Sequence, residues 1–380
     1  MGLTSRVAIG LSGGVDSSVA ASLLTKAGYE VIGLTMKIWS GSISLPAGAK
    51  QACFGPDEAE DIDACERLCR QLDIKYRVID LASEYENRVL EYFRREYLAG
   101  RTPNPCVVCN SELKFGFLLE RAAEGGLDFD FFATGHYARI FRAEGGPPRL
   151  RAALDGAKDQ SYFLYRLGSE RLGRVLFPLG ELTKGQVRDI ARGLGLEAAE
   201  KAESQDFVAG GDYSTLFADR RVESGDIVDL EGRVLGRHRG LPYYTVGQRR
   251  GLGISLPRGS DGREAADPDA LYVLALDPAA NRVIVGPNRG LFAQGLEASD
   301  FISYCEGWGP LRGLAKIRQN HRPAPCSFKI GVSTCRVRFD EGQRALAPGQ
   351  SLVLYDAEGL VLGGGTIERA LDEGALADLA

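Results

Sequence analysis

The sequence predicts an α/β fold, a doubly wound parallel sheet, followed by a small central β-rich module and a C-terminal β-barrel. Over roughly the first 135 residues, short apolar runs rich in β-branched and aromatic residues alternate with helix-length segments, as strands joined by crossover helices do. From about residue 206 the text changes to short strands punctuated by glycine, the pattern of all-β modules. A chain of 380 residues also exceeds one ordinary core and implies two or three domains. The expected boundaries are 1–205, 206–268 and 269–380.

The strands of the first domain are "VAIGL" (7–11), "VIGLTM" (31–36), "YRVIDL" (76–81) and "DFFAT" (130–134), with helices over 16–27, 57–72, 83–97 and 112–124. In such a sheet ligands bind at the carboxyl ends of the strands. Residues 40–56, rich in Gly, Ser and Pro, form a long loop, and a helical hairpin is expected over 168–198. Runs such as "LYVLALD", "NRVIVG", "CSFKIG", "TCRVRFD" and "SLVLYD" supply the later strands.

Composition narrows the class. With 44% hydrophobic and 26% charged residues the chain reads as globular. No apolar run approaches the roughly 20 residues of a bilayer span, so no membrane is expected. "RVAIGL" enters a core strand directly, which argues against a signal peptide and for a cytoplasmic protein. There the eight cysteines are thiols, metal ligands or reactive groups rather than disulfides.

The first strand runs into "LSGGVDSSVAAS" (11–22). Backbone N–H groups of a glycine turn at a helix N-terminus bind an anion without any charged side chain. Gly13 and Gly14 let the backbone approach, Ser12, Ser17 and Ser18 add hydroxyls, and Asp16 can orient the turn or a magnesium ion. The loop lacks the lysine of the commoner phosphate loop, which suits attack at the α phosphate of ATP with pyrophosphate leaving. Further on, "LAGRTPNPCVVCNSELKFG" (98–116) carries Cys106 and Cys109 in an expected loop stiffened by two prolines. This C-x-x-C reads as half a metal site, a redox pair, or a sulfur-carrying nucleophile beside its partner.

The string S-G-G-V-D-S resembles the pyrophosphate-binding (PP) loop of the adenylating ATP pyrophosphatases. Together with R-T-P-N-P-x-x-x-C-N, "ATGHYAR" (133–139), "DGAKDQSYFL" (155–164), "FPLGELTK" (177–184), "ESQDF" (203–207), "TVGQRRGLGI" (245–254) and "GQSLVLYDAEGLVLGGGTI" (349–367), it resembles the tRNA-specific 2-thiouridylases over nearly the whole chain. The resemblance implies an enzyme that adenylates the C2 oxygen of the wobble uridine (position 34) of tRNA with ATP and Mg2+. Sulfur then attacks C2 and AMP departs. By the same resemblance Gly13, Gly14, Asp16 and Ser17 hold pyrophosphate, Met36 contacts adenine, and Gly135 and His136 line the nucleotide pocket. Lys158, Asp159, Gln160 and Ser161 meet the target nucleotide.

The pattern departs from the family at the cysteines. The best-studied branch has an acidic residue at the position of Cys106 and a second Cys shortly after Ser204-Gln205. Here no Cys lies between 110 and 304, so the disulfide scheme with a downstream cysteine is closed. Cys106 with Cys109 resembles the branch that binds an iron–sulfur cluster, for which Cys53 is the candidate third ligand or a resolving thiol. The favoured sulfur route is a [4Fe-4S] cluster on Cys106, Cys109 and Cys53, with a Cys109 persulfide as the alternative. Sulfur would come from a cysteine desulfurase relay protein or inorganic sulfide. Cys65 and Cys69, at i, i+4, read as a packed helix face, and Cys305, Cys326 and Cys335 as core.

Although the net charge is −5, residues 232–250 hold five Arg and residues 307–339 seven Lys or Arg, neither with an acidic residue. Such asymmetry suits a phosphate-binding face. Arg237, Arg239, Gln248, Arg249 and Arg318 are candidate contacts to the tRNA anticodon loop, with Tyr244 as a stacking residue, although one of Tyr243 and Tyr244 should face the core. A target base must leave its stack to be modified, which favours an unpaired loop. Two rivals remain: an ATP-dependent ligase acting on a small metabolite, and a non-catalytic RNA-binding or iron–sulfur protein.

Overall fold

The structure is a computed structural model, and it describes residues 5–43, 52–201, 206–208, 213–254, 270–305 and 310–379. Ser204 and Gln205 lie outside the described residues. The chain divides into two compact units, Met1–Glu91 with Pro105–Thr215 and Glu358–Val361, and Tyr92–Asn104 with Leu216–Ala357 and Leu362–Ala380.

The first unit is built on five parallel strands in the order Lys75–Asp80, β2 (Glu30–Lys37), β1 (Arg6–Gly10), Phe131–Thr134 and Val175–Leu176. β1 is central because its alternate residues are apolar on both faces: Val7, Ala8 and Ile9 are wholly buried, as a strand covered by helices on each side must be. The following helix, α1 (Val15–Lys26), is buried along most of its length, including Ser17, Ser18 and Ser22. Those hydroxyls are satisfied by back-bonding, Ser18 to Gly14 O and Ser22 to Ser18 O, each at 2.9 Å. Cys65 and Cys69 face the same core from the helix Glu58–Gln71, at 1% exposure each, as their spacing suggested.

Two differences from the sequence expectation bear on the site. The C-x-x-C segment is not a loop: Pro105 opens the helix Pro105–Val108, which continues as a π-helical stretch, Cys109–Phe117, and ends as Leu118–Glu124. Proline fits a first helical turn because its missing N–H is not needed there. Within the expected long loop, Ala52–Phe54 forms a strand that pairs in parallel with Asp206–Val208.

In the second unit, Val234–His238, Gly225–Val228, Arg282–Pro287 and Leu271–Asp277 form one four-stranded sheet in that order. The strands 271–277 and 282–287, assigned by the sequence to the C-terminal module, therefore belong to the central one. The closed barrel begins later and runs Phe292–Ser303, Cys335–Arg344, Ala324–Ile330, Leu311–Lys316, Ser351–Tyr355 and Val361–Leu371. Cys326 and Cys335 are buried in it, while Cys305 is half-buried. Two of the quoted motifs meet in this unit. Thr102 N–H donates to Pro348 O at 2.7 Å, and Gln350 Nε2 donates to Pro103 O at 3.1 Å. Gly349, at φ +91°, presses so closely on the Thr102 backbone that a Cβ would stand 2.8 Å from its carbonyl oxygen. Only glycine fits there.

Candidate active site

The site begins at the loop between β1 and α1. Gly13 takes φ +68°, a left-handed conformation open to glycine, and Gly14 caps the helix with extended backbone and no side-chain cap. The first N–H groups of α1 are thus left unshielded by a capping side chain, the arrangement that receives an anion. Ser12 and Ser17 hydroxyls lie 3.3 Å apart, and Ser17 Oγ donates to Gly14 O at 3.2 Å, so the serines tie the turn together.

Gly135, directly after the strand Phe131–Thr134, brings a second backbone segment against this loop. A Cβ there would stand 2.7 Å from Ser17 N and 2.8 Å from Asp16 C, closer than non-bonded atoms come. His136 follows, its Nδ1 sharing a 2.8 Å hydrogen bond with Thr134 Oγ1 and its ring set between Phe115 and Phe177. Enclosure among these groups, and then the Lys114 ammonium, hold its pKa well below the usual imidazole value. His136 is therefore a neutral hydrogen-bonding group at pH 7. Met36, half-buried, lies near the end of β2, the neighbour of β1. The loop, Met36, Gly135 and His136 thus all lie at the carboxyl ends of adjacent strands.

Asp16 is already engaged. Lys184 Nζ lies 2.8 Å from both of its oxygens, and Tyr137 donates its phenolic hydrogen to Oδ1 at 2.8 Å. Lys184 is the functional candidate the sequence reasoning passed over. Its signal was its place in "FPLGELTK", but nothing in one sequence ties it to a loop 168 residues earlier.

The "DGAKDQS" turn is braced inward. Asp159, 5% exposed, accepts from Ala153 N, Ser161 N and Ser161 Oγ at 2.9–3.1 Å. Gln160 exchanges bonds with the Tyr137 backbone at 3.0 and 2.8 Å. Asp159 and Ser161 shape the turn, and Lys158 is half-exposed on it.

Cys106 and Cys109 are half-buried and Cys53 is exposed. All three influence one residue, Tyr85, whose phenol is pushed well up first by burial and then by Cys109, Cys53 and Cys106. Tyr85 stacks on Phe54 with ring centroids 5.0 Å apart, which anchors the strand carrying Cys53 beside the C-x-x-C helix. Burial raises the Cys109 thiol pKa, Cys53 adds to the rise, and Lys114 opposes it. Beside Cys109, Asn110 is 4% exposed and its Oδ1 has no hydrogen-bond partner.

Among the described residues no three His, Cys, Asp or Glu side chains converge so as to hold a metal ion. The structure thus shows no metal site for the [4Fe-4S] cluster expected on Cys53, Cys106 and Cys109. Asp16, expected to orient the turn or a magnesium ion, meets Lys184 Nζ with both oxygens.

In the second unit the expected RNA contacts separate. Arg239, exposed, lies 4.7 Å over the Tyr243 ring. Tyr244 is 3% exposed and packs edge-on against His238, so of the two tyrosines it is Tyr243 that keeps an accessible face. Gln248 closes its own turn, accepting from Thr245 N at 3.0 Å and donating to Arg250 O at 2.9 Å. Arg249 and Arg318 are exposed. Arg237 is exposed too, but contacts Asp226 at 3.4 Å.

The description "tRNA methyl transferase HUP domain" matches residues 5–209, "tRNA methyl transferase PRC-barrel domain" residues 214–287, and "Aminomethyltransferase beta-barrel domain" residues 295–367. The tRNA-specific 2-thiouridylase MnmA of Roseiflexus sp. (strain RS-1) is 44% identical over 96% of this chain and 99% of its own. That of Geotalea uraniireducens (strain Rf4) is 44% identical over 97% and 96%. Among solved structures, NMN synthetase from Francisella tularensis shows 19% identity and a TM-score of 0.31 over 53% of this chain and 66% of that one. No helix among the described residues is long and apolar enough to cross a membrane. A PP loop at the strand ends, followed by a PRC-barrel module and a closed six-stranded barrel, agrees with kinship over the full length: the chain belongs to the tRNA-specific 2-thiouridylases, PP-loop enzymes that use ATP to thiolate uridine in tRNA.

Proposed function

We propose that the β1–α1 loop binds the pyrophosphate of ATP, and that the reaction at this site is 2-thiolation of the wobble uridine, position 34, in the cytoplasm. The observation that carries it is the uncapped α1 N-terminus between Gly13–Gly14 and the Gly135 backbone. Its N–H groups and dipole suit a departing anion. Ser12, Ser17 and Ser18 shape this cradle, Met36 meets the adenine, and neutral His136 lines the pocket. Magnesium accompanies ATP as its phosphate counter-ion.

In the first step the uracil C2 oxygen bonds to the α phosphorus, the bond to the β phosphate breaks, and pyrophosphate leaves with the electron pair as N3 gives up its proton. Adenylation makes a poor electrophile reactive by giving C2 a phosphate leaving group. A persulfide on Cys109, loaded when its thiolate takes the outer sulfur of a desulfurase relay protein's persulfide and releases that protein's thiol, then attacks C2 through its outer sulfur, and AMP departs; inorganic sulfide, where it is the donor, attacks C2 directly. A neighbouring thiolate, Cys106 or Cys53, attacks the Cys109 sulfur. It forms a disulfide and releases 2-thiouridine, and an external thiol restores the pair. Lys158, Arg239, Tyr243, Arg249 and Arg318 form the tRNA contact set, the last four on the basic surfaces that suit an anticodon stem-loop.

The test is pyrophosphate release and 2-thiouridine formation from full-length protein, Mg-ATP, a persulfide sulfur donor and a tRNA transcript bearing U34. Release stimulated by this transcript, and not by its U34→C form, is expected. Release stimulated by a carboxylate metabolite instead would favour a small-molecule ligase.

A further inference from the structure

The PP loop contains no lysine, and pyrophosphate is a multiply charged leaving group. We propose that Lys184 is the cation of the pyrophosphate site and a catalytic residue of adenylation, an inference that rests on the adenylation proposed above. Lys184 begins the helix Lys184–Gly193. Its main chain is fixed twice: Thr183 and Gln186 form a capping box around it, and its own N–H donates to Asp155 Oδ2 at 3.0 Å. The side chain, 12% exposed, reaches Asp16 in the first turn of α1. Tyr137 completes the grip, with its hydroxyl on Asp16 and its ring 5.8 Å from Nζ.

Asp16 is therefore a positioning residue. It parks the ammonium beside the N–H groups that receive the anion, with Lys184 12% and Asp16 31% exposed, where charge acts more strongly than in open water. The backbone is pinned, and rotation about the bonds of the four-carbon stem would carry Nζ from Asp16 to phosphate oxygens without movement of the backbone. Lys201, the other ammonium at the loop, is placed differently. It donates to the Gly13 carbonyl at 3.2 Å, pairs with Asp61, and is 44% exposed, so its charge lies on the loop's carbonyl edge. In the step itself, the bond from the α phosphorus to the bridging oxygen breaks as the uracil oxygen bonds to phosphorus. Pyrophosphate takes the electron pair, and Lys184 keeps its protons throughout.

The test uses full-length protein, tRNA transcript and Mg-ATP, with single-turnover pyrophosphate release and calorimetric binding of inorganic pyrophosphate as readouts. Lys184→Met should slow release about 100-fold, the cost of one preorganised charge-stabilising donor. It should weaken pyrophosphate binding about tenfold or more with tRNA affinity unchanged. Lys184→Arg should recover most of both. Because Lys184→Met leaves the Asp16 carboxylate unpaired, the double variant D16N/K184M, checked for folding by circular dichroism, should match K184M rather than add to it. A folded double variant that releases pyrophosphate within about threefold of the parent and binds it equally well would overturn the proposal, leaving Lys184 as a partner for Asp16 only. If the parent itself releases none with tRNA, the adenylation reading falls, and pyrophosphate binding alone decides Lys184: equal affinity in parent and double variant refutes it, a tenfold loss sustains it.

Discussion

Cys65 and Cys69 stand four residues apart on one helix of the α/β unit, and Cys106 and Cys109 three apart at the start of another. Both pairs share a helix face, yet their surroundings differ. The first pair is 1% exposed and sits in the main core with Val7, Ile9 and Val19. The second is half-buried, beside Tyr85, the strand of Cys53 and the Lys114 ammonium. The Cys69 thiol is pushed up to about 12 by burial and then by Cys65, and nothing cationic relieves it. Cys109 is raised by burial too, but Lys114 pulls against it. A thiol becomes useful where a cation and an opening to solvent accompany it.

The sharpest way to break this contrast is Cys109→Ser. Loss of the sulfur-carrying nucleophile should lower 2-thiouridine formation about a thousandfold or more, while tRNA-dependent pyrophosphate release persists, because adenylation precedes sulfur attack. Loss of both activities together would move Cys109 into the adenylation machinery. Next in size is Gly135→Ala. The added Cβ would stand within 3 Å of the Ser17 and Asp16 backbone, and the α1 N-terminus must shift to admit it. ATP affinity, read by calorimetry, should fall about 100-fold, as a displacement of about 1 Å at a reacting site does.

The core pair gives the opposite signature. Cys69→Ala should leave thiolation unchanged and cost about 1–2 kcal/mol of unfolding free energy, read by urea denaturation. The pH dependence has a defined sign. Unfolded Cys titrates near 8.5, while folded Cys69 does so at about 12. Between those values the unfolded chain has released a proton that the folded chain keeps. Stability is therefore complete below about pH 8.5 and falls as pH rises through this window, and Cys69→Ala should flatten that fall. The smallest effect belongs to the second unit. Arg239→Ala should weaken tRNA binding only a few-fold and lower the salt dependence by about one ion, measured by filter binding at several salt concentrations.

The architecture of the α/β unit was legible because alternation of buried strands and helices is a local property. Runs such as "VAIGL" and the serine-glycine turn announce themselves within a dozen residues. What the text concealed depends on packing between distant segments. Cys106 and Cys109 looked like loop residues because two prolines precede them, but Pro105 proved to be a helix's first residue rather than its breaker. Tyr243 and Tyr244 differ by one position, and only the fold decides which faces the core. Strands 271–277 and 282–287 read as barrel text because no local feature tells which sheet a strand joins. The Lys184–Asp16 pair was invisible for the same reason, since its members lie on helices far apart in the chain.

The closure of the C-terminal barrel restricts how this half of the protein can recruit others. From Phe292–Ser303 round to Val361–Leu371 each strand is paired on both sides, so among the described residues the barrel offers no open edge strand to an incoming one. The central four-stranded sheet does end in edges. Along one of them, Val234–His238, Val234 is 60% and Leu235 39% exposed, with Arg233 just before it and Arg237 within. Charged side chains on such a border oppose edge-to-edge association. A substitution such as Arg237→Val would then be felt first as aggregation on concentration, before any loss of catalysis.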